Sequence, residues 1–191
     1  MNTIMNFKGG HRAIWMVTAL AVGLMLVLGG NAFANDQFVM TATGTVRAAL
    51  VITSPQALDW SVGGDLYQGV AKHVAVNEAG AGVFTVTGAE GDAIQSQLLL
   101  PEYLWCTTVG VKQRVDLFFS ETDCAYSTDG VADPTTATQT VVDPTSLPTM
   151  TIAAGQTTVN LFIGGTATPS VYQKAGVYTA NVILTSWYEG D

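Results

Sequence analysis

Residues 38–53 read FVMTATGTVRAALVIT. Phe38, Met40, Ala42, Gly44, Val46, Ala48, Leu50 and Ile52 occupy the even positions, while Thr41, Thr43, Thr45, Arg47 and Thr53 are among the odd ones. Period-two alternation of this kind marks a strand with one buried face. The run is about three times the usual strand length of about five or six residues. It is therefore either one strand bent between two sheets or two strands end to end, and everything downstream has to pack with it.

Upstream, the pattern is that of a secretory signal peptide over residues 1–34. Lys8, His11 and Arg12 form a basic start, 13–28 is an apolar core, and Ala32-Phe33-Ala34 supplies the small residues of a cleavage site before Asn35. The apolar run is close to the length of a membrane span, so an uncleaved anchor is the alternative. Cleavage leaves 157 residues (191 minus 34), enough for one domain over 35–191 with a real core. No second apolar segment of spanning length follows, so the expected product is free of the membrane and exported to the periplasm, the cell surface or the medium.

All fifteen acidic residues fall after residue 34, against five basic ones, for a mature net charge of about −10. Such a surface repels nucleic acid and anionic lipid. Cys106 and Cys124 are an even pair in an exported chain, which predicts one disulfide. It would close a loop of about eighteen residues, worth about 3 kcal/mol by chain entropy.

Downstream, strand patterns alternate with turn signals. Ser54-Pro55-Gln56-Ala57 predicts a turn, 58–62 a short alternation, and 67–76 a strand with an irregularity at Gly69. Strands are expected at 83–87, 93–100, 111–120, 149–153, 157–163 and 176–188. Between them, 121–148 loses its periodicity to Thr, Asp and Pro and reads as a surface excursion with a short edge strand near 138–142. With no helical period after residue 34, these elements predict an all-β, two-sheet antiparallel sandwich of about 7 to 9 strands, preceded by the signal-peptide helix. An outer-membrane barrel would need longer apolar strands and more aromatic residues.

Several short motifs give the chain a resemblance. Ala48-Ala49-Leu50-Val51-Ile52-Thr53 is followed by Leu58-Asp59-Trp60-Ser61, then Phe84-Thr85-Val86-Thr87-Gly88, Leu100-Pro101 and Gly176-Val177-Tyr178 with Val182-Ile183-Leu184-Thr185. In this order they resemble an exported bacterial family, number 4402 in the domain-of-unknown-function series, except that Trp60-Ser61 stands where the family has Phe-Gly. The resemblance spans about residues 42–188. It implies an immunoglobulin-like sandwich related to fimbrial subunits, with no established activity, and carries over no catalytic residue.

The residue inventory points away from enzymatic chemistry. His73 is the single histidine after residue 34, no G-x-S-x-G elbow is present, and a zinc site would need more ligands. No catalytic residue and no cofactor is expected. Glu121, Asp123, Asp129 and Asp133 gather around Cys124 and form a candidate calcium loop, whose plainer reading is a solvated acidic loop. Tyr103, Trp105, Tyr126, Trp187 and Tyr188 could stack on sugars or pack at strand ends.

Two functional classes survive. One is a secreted structural or adhesive bacterial surface protein, fimbria-like, whose segment 35–46 is a candidate strand-exchange element. Its Phe38, Met40, Ala42, Gly44 and Val46 would enter pockets on a neighbouring subunit. The other is a monomeric extracellular module that binds carbohydrate or calcium through 121–148 and nearby aromatic residues. In the first class, the partners are further copies or other surface proteins.

Overall fold

The computed structural model describes residues 49–108 and 113–190. The expected signal peptide at 1–34 and the strand-exchange candidates Phe38, Met40, Ala42, Gly44 and Val46 lie outside these residues. Within them the protein is all-β, with no helix and thirteen strands. In chain order these are β1 (Val51–Gln56), β2 (Lys72–Val74), β3 (Gly82–Thr87), β4 (Ala93–Leu99), β5 (Tyr103–Cys106), β6 (Arg114–Phe118) and β7 (Cys124–Ser127). There follow β8 (Thr140–Val142), β9 (Met150–Thr151), β10 (Thr158–Ile163), β11 (Gly165–Thr168), β12 (Tyr178–Thr179) and β13 (Ile183–Tyr188).

Every pairing is antiparallel, as a β-sandwich requires. The first sheet runs β1-β3-β10-β7-β8, the second β12-β5-β6-β11-β2, and the third β13-β4-β9. The second and third sheets share two stretches of chain. Residues 93–106 provide β4 and then β5, residues 178–188 provide β12 and then β13, and the two stretches pair twice, β4 with β13 and β5 with β12. Pro101 interrupts the first stretch because proline cannot donate to a ladder. The strand number exceeds the 7 to 9 read from sequence partly because the run at 176–188 breaks and serves two sheets, and partly because short strands such as β5, β7 and β11 carry no period of their own.

The core lies where these layers meet. Val86, Val159 and Leu161 from the first sheet pack on Ile94, Met150 and Leu184 from the third. A second cluster sets Trp60 and Ala81 on the inner residues Val74, Leu104, Val115 and Ala167 of the second sheet. Central strand β10 is buried on both faces, so Val159, Leu161, Phe162 and Ile163 are apolar on both sides and only Asn160 interrupts them. Its other face meets the long loop. Phe162 packs with Val76, Val83 and Ala125, and Ala137 lies against that cluster. Asn160 donates from Nδ2 to the Val131 carbonyl at 3.0 Å, and its Oδ1 accepts from the Thr85 hydroxyl at 2.7 Å. The region 121–148 is therefore more than a surface excursion, since it supplies buried β7 and covers the first sheet; the edge strand expected near 138–142 is β8.

The described end of the opening stretch comes out differently from its pattern. From residue 49 on it forms the strand Val51–Gln56, which lies at the edge of the first sheet and is exposed along nearly its whole length, with Val51 54% and Ile52 37% exposed. Ser54-Pro55-Gln56 is not a turn but the end of β1, where the register slips between Thr53 and Gln56. An edge strand tolerates a proline because one side of its ladder needs no donor. Gln56 holds the slipped end by donating from Nε2 to the carbonyls of Ala79 and Ala81, each at 2.7 Å.

The strand expected over 67–76 is reduced to Lys72–Val74. Gly69 has φ +67 and its amide donates to the carbonyls of Pro169 and Ser170, so this part of the chain is held by a loop rather than a ladder.

Candidate functional site

Among the described residues, a cavity of about 1150 Å³ takes its walls from both layers. Val83 and Phe84 of β3 and Ile163 of β10 line one side, and Leu104, Val115 and Leu117 line the other. Ser54 and Gln56 of edge strand β1 stand at its margin. Lys174 and Tyr178 also line it, and Gln113 holds them in place. Gln113 accepts from the Lys174 amide at 2.6 Å and from the Tyr178 hydroxyl at 3.3 Å, and the same hydroxyl donates to the Lys174 carbonyl at 2.7 Å. Apolar walls with a few fixed polar groups suit either a small ligand or an extended peptide.

The two cysteines do not form the expected bridge; both are free. Cys106 ends β5 opposite Tyr178 in the second sheet, whereas Cys124 begins β7 opposite Ile163 and Val142 in the first. The even cysteine count of an exported chain led to the expectation of a bridge, whereas in the structure the two residues end and begin strands of different sheets and neither is bridged. Cys124 is buried, and that burial pushes its thiol pKa up to about 12.

The acidic quartet is likewise dispersed. No group of three metal-ligating side chains occurs among the described residues. Glu121 is exposed in the turn before β7. Asp129 accepts from the amides of Val131 at 2.8 Å and Thr138 at 2.7 Å. Asp133 accepts from the amide and hydroxyl of Thr135 at 2.9 and 2.7 Å. Partial burial works against ionisation of Asp129, but hydrogen bonds from Ser127, Thr138 and Val131 overcome it and hold its pKa low. The Thr135 hydroxyl and then its amide do the same for Asp133. These carboxylates organise turns, as Asp side chains commonly do.

Asp123 is the exception, being buried and drawn into the junction between sheets. Its Oδ2 accepts from the Ser120 amide at 2.7 Å, and its Oδ1 lies 2.7 Å from Nε2 of His73 on β2. His73 is half-exposed, as its place in a strand suggested, but its partner lies fifty residues away and no local pattern could have named it.

No known family model matches the chain. Comparisons with curated proteins and with solved structures likewise find no match.

The aromatic residues near the cysteines divide by face. Tyr126 lies on β7 and packs against the core cluster between the first and third sheets. Tyr103 and Trp105 instead belong to the outer face of the second sheet, their rings 6.1 Å apart in an edge-to-face arrangement. The guanidinium of Arg114 on neighbouring β6 stacks 3.8 Å from the Tyr103 ring centre. Trp187 donates from Nε1 to Gln95 at 3.1 Å across the third sheet, and Tyr188 is buried.

Proposed function

We propose that this chain is an exported structural or adhesive subunit of a bacterial surface layer, of fimbria-like type, that assembles by β-strand addition. The observation that carries this reading is the cavity beside β1: an apolar cleft of about 1150 Å³ bordered by an exposed edge strand that pairs only with β3 among the described residues. An extended segment from another copy would find unpaired backbone groups at β1 and apolar walls between the layers. The alternation of Phe38, Met40, Ala42, Gly44 and Val46 suits such a segment, with its side chains entering at every second residue. The secretory pattern at 1–34 and the family resemblance support the same reading. No catalytic role is proposed.

The test compares protein beginning at residue 35 with protein beginning at residue 47 by analytical ultracentrifugation. The longer form should associate with rising concentration. The shorter one should stay folded and monomeric, and should bind a synthetic peptide of residues 35–46. A longer form that is monomeric at every concentration would sink the assembly reading.

A further inference from the structure

The outer face of the second sheet carries a feature that neither the core nor strand addition requires. Alternation along β5 and β6 turns Leu104 and Val115 inward and leaves Tyr103, Trp105, Arg114, Asp116 and Phe118 outward. Cross-strand register places Trp105 opposite Arg114 and Tyr103 opposite Asp116, while Thr166 and Thr168 on β11 stand opposite Phe118 and Asp116. Trp105 is 55% exposed and Phe118 64% exposed. Four residues along β6 separate Phe118 from Arg114, so the two exposed rings lie about 14 Å apart along the strand direction.

Three tryptophans lie among the described residues, and two of them are satisfied. Trp60 donates from Nε1 to the Gly165 carbonyl at 2.9 Å, and Trp187 donates to Gln95. Among the described residues, the Trp105 indole N–H and the Tyr103 hydroxyl have no hydrogen-bond partner. Tyr103 is meanwhile held between Trp105 and the Arg114 guanidinium, and Arg114 Nε lies 3.8 Å from Asp116. The platform is thus fixed in place with its donors unused.

We propose that this face binds a neutral glycan. The negative face of an aromatic ring attracts the weakly positive C–H face of a pyranose. The interleaved Arg114, Asp116 and threonine hydroxyls offer donors and acceptors to ring hydroxyls. Charge decides against the rivals. With 7 basic residues against 15 acidic ones, the chain repels anionic ligands. A protein partner would have to bury Asp116 in an interface centre, where aspartate is depleted and a carboxylate is costly to desolvate. A hydroxylated neutral ligand leaves that carboxylate solvated. The site is remote in sequence from 35–46 and does not depend on assembly.

The full chain as exported is tested for retention on insoluble cellulose and chitin, and by affinity electrophoresis in gels containing neutral β-glucan or galactomannan. Retention on at least one is expected, with a shift in tryptophan fluorescence. Trp105→Ala and Arg114→Gln should each weaken binding on the order of tenfold, as truncating an anchor does. Trp105→Phe should retain most of it, and Tyr172→Ala, an exposed ring elsewhere, should leave it unchanged. The proposal fails if no neutral polysaccharide retains the wild type, or if both Trp105→Ala and Arg114→Gln bind as tightly as the wild type does. It also fails if Trp105→Ala only disperses a self-associated form, which would make the face a protein contact.

Discussion

His73 Nε2 lies 2.7 Å from Oδ1 of Asp123, and this contact joins the edge of the second sheet to the start of β7 in the first. The same junction holds the chain's crossing between sheets. The Gly164 amide donates to the Asp123 carbonyl at 2.9 Å, and the next carbonyl, that of Gly165, accepts from Trp60. The sandwich is thus tied at a point where a carboxylate is only 2% exposed and its histidine partner 50% exposed.

That asymmetry predicts unequal losses. Asp123→Ala leaves the Ser120 amide and the imidazole without their acceptor and should cost about 2–3 kcal/mol, the range for hydrogen bonds to a charged group. His73→Gln, on the solvated side, should cost no more than about 1 kcal/mol. Urea unfolding of the two single variants and the double variant measures both losses and their coupling. A coupling near zero would show that the contact contributes nothing to stability.

Gly165 adopts φ +149 where β10 hands over to β11, and a Cβ there would meet the Phe119 ring at 2.8 Å. Gly165→Ala should therefore destabilise by about 1–3 kcal/mol through backbone strain alone, with the ring clash adding to it. Gly63→Ala, at φ +76 but with open space around it, should show the strain without the clash. Equal thermal shifts for the two variants would count against the Phe119 contact.

Free thiols distinguish the cysteine pair. Iodoacetamide at pH 8 should modify Cys106, which is partly exposed, and spare Cys124, whose burial pushes its thiol pKa up to about 12 and keeps it protonated. Mass spectrometry should find one adduct on the native protein and two after denaturation. No adduct under either condition would mean that the two sulfurs are bridged.

Acid should loosen the turns. Asp59, Asp129, Asp133 and Asp143 all have folded pKa values below the ordinary 3.8; hydrogen bonds from Ser61 lower Asp59 and those from Thr145 lower Asp143. A lowered carboxylate pKa contributes stability that is complete above the unfolded value and is lost as pH falls through the folded one. These groups should therefore leave stability flat from pH 7 to about 5 and reduce it below about 4. Chemical denaturation across that range checks it, and Asp129→Asn should flatten the acid limb.

Much of the strand plan was legible in residues that follow one rule at a time. Val83–Thr87 and Ala93–Leu99 alternate or carry β-branched residues between glycine or proline stops, and both are strands in the structure. Across 178–188 the even positions stay inward even though the chain changes sheets midway. Less legible were β5, β7 and β11. Each has only four residues, too few for a period to declare itself, and each is held by pairing with strands distant in sequence. The candidate site residues fared by the same logic. Tyr103 and Trp105 could be singled out by type, but whether they faced core or solvent depended on which side of the second sheet was covered.

By itself the sequence determined the class of fold and the acidic balance of the chain, because these depend on local periodicity, composition and charge. Only the tertiary structure decided that Cys106 and Cys124 belong to different sheets, that Asp123 meets His73, and that β1 is an exposed edge strand. The physical reason is that strand pairing is non-local. A strand's own residues set its two faces, but its neighbours in the ladder and the layer opposite decide which face is buried.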